Sequence, residues 1–124
     1  FPDVLKILKY LHSNNQLLIS TMKDKQSIIQ ILKNKKIKMR KKLILDQFDV
    51  KNKLESLKLF MNRFNIEKKD IYFFDDNVNH ILQPKRQGFS VYLTTWGYST
   101  KEFMQIAKKN KISILNNIKK FNFK

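Results

Sequence analysis

The 124-residue chain, 15.0 kDa, has room for one domain, and its 42% hydrophobic and 29% charged residues are those of a folded, water-soluble protein. Two glycines and two prolines exclude a collagen-like or Pro/Gly-rich disordered chain. The absence of cysteine removes disulfides, thiolate catalysis and zinc-finger chemistry together. Two histidines, His12 and His80, are too few for a His-rich metal site. No apolar run approaches the ~18 residues of a membrane span, and no signal-peptide pattern opens the sequence. A cytoplasmic, monomeric domain with no membrane partner is the expectation.

The net charge is +16, from 26 Lys and Arg against 10 acids, a balance that ordinarily points to a polyanionic partner. Of the 26 cations, 23 are Lys, whereas base-reading and bidentate phosphate-gripping surfaces lean on Arg. Lys, Asn and Ile make up 49 of 124 residues, and all three have A/T-rich codons, so genome drift accounts for the surplus without a nucleic-acid role. The excess is densest in KNKKIKMRKK (33–42), with seven cations in ten residues. That block reads as a solvated loop face, with a nucleic-acid patch as its rival; Ile37 and Met39 are too few for a membrane-binding helix.

Along the chain, helix patterns alternate with short apolar runs, which predicts an α/β domain with a parallel sheet and helices on both faces. Pro2 and Asp3 open a helix with Val4, Leu8 and Leu11 at helical spacing, and Asn14-Asn15 stops it. Leu17-Leu18-Ile19 is a run without alternation, as in a strand covered on both faces. A helix around Ser27–Leu32, the basic block and a short strand at Leu43-Ile44-Leu45 follow. Leu54, Leu57, Met61 and Phe64 mark a further helix. Ile71-Tyr72-Phe73-Phe74 is the strongest strand, again read as doubly covered, and ends in Asp75-Asp76. A helix over Val78–Gln83 should end near Pro84. Phe89, Val91 and Leu93 alternate with Ser90, Tyr92 and Thr94, which predicts a strand near a sheet edge. Ser99-x-x-Glu102 reads as a capping box for a last helix with Phe103, Ile106 and Ala107 inward. The tail from Lys108, with Ile112, Ile114, Leu115 and Ile118, is either a docked helix or a frayed end. No repeat or linker divides the chain.

Ligands of open α/β sheets bind beyond the carboxyl ends of the strands. Ser20-Thr21 closes the first strand, Lys53 starts the 53–64 helix, and Asp75-Asp76 closes FFDD. Singly, each has a plain structural reading: a turn cap, a surface lysine, a turn with Asp76 as helix cap. Together, a hydroxyl, an ammonium and a carboxylate pair at one rim suit a phosphoryl group held against Mg²⁺, a hard cation that takes oxygen ligands. Successive strand side chains point to opposite faces, so Asp75 and Asp76 should not both reach an ion directly.

This arrangement resembles the haloacid dehalogenase superfamily, and most closely its small magnesium-dependent phosphatases acting on phosphotyrosine and fructosamine phosphates. FPDVLKILKYL resembles the helix leading to the second strand, and LLIST resembles the Ser/Thr motif. Lys53 stands where the motif lysine does, with 19 residues before FFDD. Gly88, strand 89–93 and Trp96-Gly97-Tyr98-Ser99 sit where the family has its fifth strand and the following loop. The resemblance implies Ser20, Thr21 and Lys53 as phosphate binders, Ser20 and Lys53 among the catalytic groups, and Asp76, supported by Asp75, as the Mg²⁺ ligand. The implied substrate is a phosphomonoester, such as phosphotyrosine or a sugar phosphate. With a short Ser20–Lys53 segment the site should be open to bulky or protein-borne phosphates.

Two departures stand out. His80 occupies the place, four residues after Asp76, where the superfamily has Asp or Asn; Asn79 is the nearby substitute. The Asp-x-Asp nucleophile motif is absent, and Asp3, in a helix, cannot replace it. In the family that motif ends a central strand between those carrying Ser20 and Asp76. The resemblance therefore implies the C-terminal part of a longer phosphatase domain, without its first strand and inactive on its own. The rival functions are a non-catalytic module of the same fold binding RNA or another polyanion through its lysines, and, more weakly, a receiver-like domain, for which no acceptor Asp is in place.

Overall fold

The computed structural model describes residues 2–97 and 100–123. The chain is organised in two compact units, Phe1–Ser56 and Leu57–Lys124. Its regular elements are helices and short parallel strands, the α/β class read from the sequence. No helix among the described residues is long and apolar enough to cross a membrane.

In the first unit, α1 (Pro2–Ser13) ends as Asn15 takes a left-handed backbone, φ 57°, a conformation that Asn tolerates better than most residues. The Asn14 amide donates back to the Tyr10 carbonyl at 2.8 Å. Strand β1 (Ile19–Ser20) pairs in parallel with β2 (Ile44–Leu45), and the Thr21 N–H extends the ladder to the Leu45 carbonyl. Residues 17–20 are only half-buried, so this strand is not covered on both faces as its sequence suggested. Leu17 and Ile19 pack on the core while Leu18 and Ser20 alternate to the other side. Helix α2 (Lys25–Asn34) is capped by Asp24, whose carboxylate accepts the Ser27 N–H at 3.0 Å.

The basic block is not a loose loop. Its start belongs to α2, Lys36 reverses the chain at φ 65°, and Ile37 (1% exposed) and Met39 (6%) then enter a core with Leu32 and Ile44. The extended backbone of 37–40 alternates, so Lys36, Lys38 and Arg40 face solvent while Ile37 and Met39 face inward. The His12 ring Nε2 lies 2.8 Å from the Lys38 carbonyl and fixes the segment to α1.

The loops after β1 and β2 are clipped together by a buried carboxylate. Asp46 Oδ2 accepts the Lys25 N–H at 2.8 Å, and its Oδ1 accepts the N–H groups of Phe48 and Asp49. Asp49 returns the contact by accepting the Asp46 N–H at 2.9 Å and pairing with the Lys25 ammonium at 3.0 Å. Asn52 opens α3 (Lys53–Phe64) by accepting the Glu55 N–H at 2.8 Å. Leu54, Leu57 and Phe60 form the buried stripe of this helix, with Met61 and Phe64 half-buried.

The second unit holds a three-stranded parallel sheet in the order β3-β4-β5, formed by Tyr72–Asp75, Ser90–Thr94 and Ser113–Leu115. The tail is therefore neither a helix nor frayed: it adds a strand, and a 3-10 turn (Ile118–Lys120) follows. That strand makes β4 central rather than near an edge, with Tyr92 opposite both Phe74 and Ser113. The alternation of Phe89, Val91 and Leu93 reports one deeply buried face, not a free edge. β3 is buried on one face and only partly sheltered on the other. Phe73 is buried, but Tyr72 is exposed, and Phe74 is sheltered by an aromatic cluster in which Phe121 lies 5.0 Å from its ring centroid and Tyr92 lies 5.1 Å away.

Helix α4 (Val78–Arg86) runs one turn past the boundary that proline rules suggest. Pro84 lacks the N–H that would meet the His80 carbonyl, but its ring is fully buried, and that burial offsets the lost bond. Gly88, φ 88°, supplies the left-handed residue after this helix. Helix α5 (Lys101–Lys109) is capped by Thr100, whose hydroxyl accepts the Phe103 N–H at 3.0 Å. The cap expected at Ser99 lies outside the described residues. Ala107 is the deepest residue of α5, with Phe103 and Ile106 half-buried.

Two outcomes follow from this packing. Ile37→Ala should cost about 2–5 kcal/mol through the cavity it leaves, lowering the urea midpoint read from amide signals of residues 1–56. The Asp46 N–H, then Lys25, holds the Asp49 carboxyl below its ordinary value. A depressed folded-state value contributes stability above the unfolded-state value of about 4 and loses it as pH falls through the folded one. Urea midpoints of residues 1–56 should therefore drop below about pH 4, and less so in Asp49→Asn.

Candidate active site

In the first unit the end of β1 and the start of α3 bring two of the expected site residues together. The Lys53 ammonium donates to the Ser20 carbonyl at 2.9 Å and to the Ser20 hydroxyl at 3.2 Å. Lys53 is 8% exposed, so this lysine, unlike most of the 23, is not a surface charge. Burying an ammonium is costly unless polar groups meet it, and the carbonyl that ends the β1 strand is one such group. Lys53 is also the first residue of α3, whose N-terminal backbone N–H groups carry partial positive charge. A hydroxyl, an ammonium and a helix N-terminus thus stand at the carboxyl end of one strand, a set of donors that suits an oxyanion.

The Ser20 hydroxyl in turn donates to Ser56 Oγ at 2.8 Å, and Ser56 is wholly buried. Nothing in the sequence reading singled out Ser56. The signal was its spacing: three residues after Lys53, it shares that residue's side of the helix. Asp46 was also overlooked, although an aspartate directly after an apolar run is the pattern that drew attention to FFDD. Thr21 is oriented differently from Ser20: its Oγ1 accepts the Lys23 N–H at 3.0 Å and braces the turn after β1.

In the second unit β3 ends at Asp75, Asp76 follows it, and the two carboxylates turn different ways. Asp75 turns inward: its Oδ1 accepts the Asn77 N–H at 2.8 Å and its Oδ2 lies 3.2 Å from Nδ1 of His80. Asp76 is exposed. Its Oδ2 lies 3.2 Å from where a Cβ on Gly97 would stand, so the glycine leaves room beside the carboxylate. Asn77 caps α4 by accepting the Asn79 N–H, the cap that the sequence offered to Asp76. Asn79 is exposed, and His80 faces Asp75.

No group of three or more His, Cys, Asp or Glu able to enclose a metal occurs among the described residues. Mg²⁺ does not demand one. It keeps several waters and binds through one or two carboxylates plus substrate phosphate, and an exposed Asp76 backed by an engaged Asp75 fits that donor set.

Comparison with curated proteins and with solved structures gave no match. The family described as haloacid dehalogenase-like hydrolase matches residues 1–94, a stretch holding Ser20, Lys53, Asp75 and Asp76. A match over that share of the chain, on a parallel α/β fold, identifies this protein as a member of the haloacid dehalogenase-like hydrolases.

Proposed function

We propose that these residues are the phosphate- and metal-binding part of a magnesium-dependent phosphatase that hydrolyses phosphomonoesters. The observation that carries the reading is the buried Lys53 ammonium, held on the carbonyl and hydroxyl of Ser20 at the start of α3. Structural lysines are rarely withdrawn from water in this way, whereas a group that neutralises phosphoryl oxygens gains strength from a low-dielectric setting. In this reading Ser20 and Lys53 orient and neutralise the non-bridging oxygens, work that is chiefly electrostatic. The backbone around Thr21 completes the turn on which Ser20 sits. Asp76 would hold Mg²⁺, with Asp75 fixing the end of the strand; the ion would supply charge neutralisation to the phosphoryl group.

The 124 residues contain no Asp-x-Asp, so the nucleophilic carboxylate of such a phosphatase would come from a strand outside them, and these residues alone would bind phosphate without turnover. Among the described residues β1 pairs only with β2, and β3 only with β4, so each has an edge able to accept a strand. Phosphotyrosine and sugar phosphates are the proposed substrate classes, as the family resemblance implies, and the short loops after β1 and β2 would leave the site open to bulky or protein-borne phosphates.

Amide shifts on titration with inorganic phosphate at constant ionic strength should localise to residues 20–23 and 52–56. Lys53→Met should weaken that binding at least 10-fold, and Ser20→Ala about 2- to 10-fold. Mn²⁺, as a paramagnetic stand-in for Mg²⁺, should broaden signals around residues 75–77 and 97, and Asp76→Asn should abolish the effect. Shifts confined to the 33–42 lysines would defeat the reading.

A second reading, a module of the same fold binding RNA or another polyanion, is favoured by one observation. Buried Ile37 and Met39 hold Lys36, Lys38 and Arg40 on a fixed, exposed track. If that track engages single-stranded RNA, affinity should fall steeply with log salt. Replacing all three cations by Glu should then flatten the slope by about 2, since each phosphate left without its cation removes about 0.7. Binding that is weak and indifferent to salt removes this alternative.

A further inference from the structure

We infer that Ser56 is a positioning residue: through its hydrogen bond to Ser20 it holds the Ser20 hydroxyl beside Lys53, so that both donors address one anion. The inference rests on the phosphate reading of Ser20 and Lys53 and adds the group that aims them. A hydroxyl has one proton and two lone pairs. The Ser20 hydroxyl gives its proton to Ser56 Oγ at 2.8 Å and accepts from the Lys53 ammonium at 3.2 Å. Ser56 passes its own proton toward the Asn52 carbonyl at 3.5 Å, a long and weak contact.

The chain Lys53–Ser20–Ser56–Asn52 can therefore reverse in part without moving a heavy atom. When an oxyanion arrives, the Ser20 proton swings to it by rotation about the Cβ–Oγ bond. The Ser56 proton swings from the Asn52 carbonyl to Ser20 Oγ, exchanging its weakest bond for a short one. Ser20 keeps a partner on its far side in both states, and a hydroxyl that accepts a hydrogen bond is a stronger donor. Ser56 is 0% exposed and does not reach the anion itself, so its effect passes wholly through Ser20. Without it, the Ser20 side chain is free to populate other staggered rotamers.

The test is the Ser20 rotamer, read by NMR from its Hα–Hβ couplings, in the parent, Ser56→Ala and Ser56→Cys. Cys has the same shape, slightly larger, with a much poorer hydrogen-bonding group, and serves if Ala fails to fold. One rotamer in the parent and averaged couplings in either variant are expected; one unchanged rotamer in a folded variant overturns the inference. A phosphate titration supplies the second arm. Ser56→Ala or Ser56→Cys should weaken binding about 2- to 10-fold, and should add nothing in a Ser20→Ala background. An equal loss in both backgrounds means a merely structural role and overturns the inference. A parent that binds no phosphate defeats the function proposed above instead, and the couplings then decide on Ser56 alone.

Discussion

A lysine ammonium withdrawn from water imposes conditions on everything around it. Its charge must be met by oxygen dipoles, and the Ser20 carbonyl meets the Lys53 ammonium at 2.9 Å. The helix must begin at 53, which Asn52 secures by taking up the Glu55 N–H. A hydroxyl must stand beside the ammonium, and Ser20 is held there by Ser56 from within the same helix. The ends of one strand and one helix, a cap and a buried serine are thus conditions for one placement of charge. That dependence is why Lys53 differs from lysines whose ammonium stays in solvent.

The same unit shows how a chain of this composition folds at all. Ile37 and Met39 supply core to a segment that is otherwise almost entirely cationic, and the alternating backbone keeps the charges outside. Carboxylates are scarce, and several have fixed duties. Asp46 ties two loops through three backbone N–H groups, and Asp49 answers Lys25. In the second unit Asp75 is committed to Asn77 and His80, which leaves Asp76 as the outward carboxylate of the pair. The His80 ring engages Asp75 at 3.2 Å.

Much of this was legible in order of sequence. Helices with a clear apolar stripe and a stop signal read correctly, as with Leu54 and Leu57 in α3 and the Asn14-Asn15 end of α1. Ser20 at a strand end and Lys53 at a helix start also read correctly as positions, because both are local signals. Errors arose where a residue's environment is set by distant chain. Tyr72 lies in an apolar run yet is exposed, since what covers that face is the aromatic group around Phe121 and not a helix. Pro84 sits inside α4 because burial of its ring outweighs a local rule. The β4 pattern could not reveal a strand on its far side, since alternation records which face is buried and says nothing of hydrogen-bonded neighbours.

By itself the sequence determined the α/β alternation, Ser20 and Asp75 at strand ends, Lys53 at a helix start, and the lysine excess, all of which depend on residue type and short-range spacing. Only the tertiary structure decided that Lys53 is buried and bonded to Ser20, that Ser56 stands behind that pair, and that the tail completes a sheet. Those facts join residues up to 36 positions apart, as Ser20 and Ser56 are. Their free energies come from dehydration and hydrogen-bond geometry that exist once the chain has folded and have no local trace before it does.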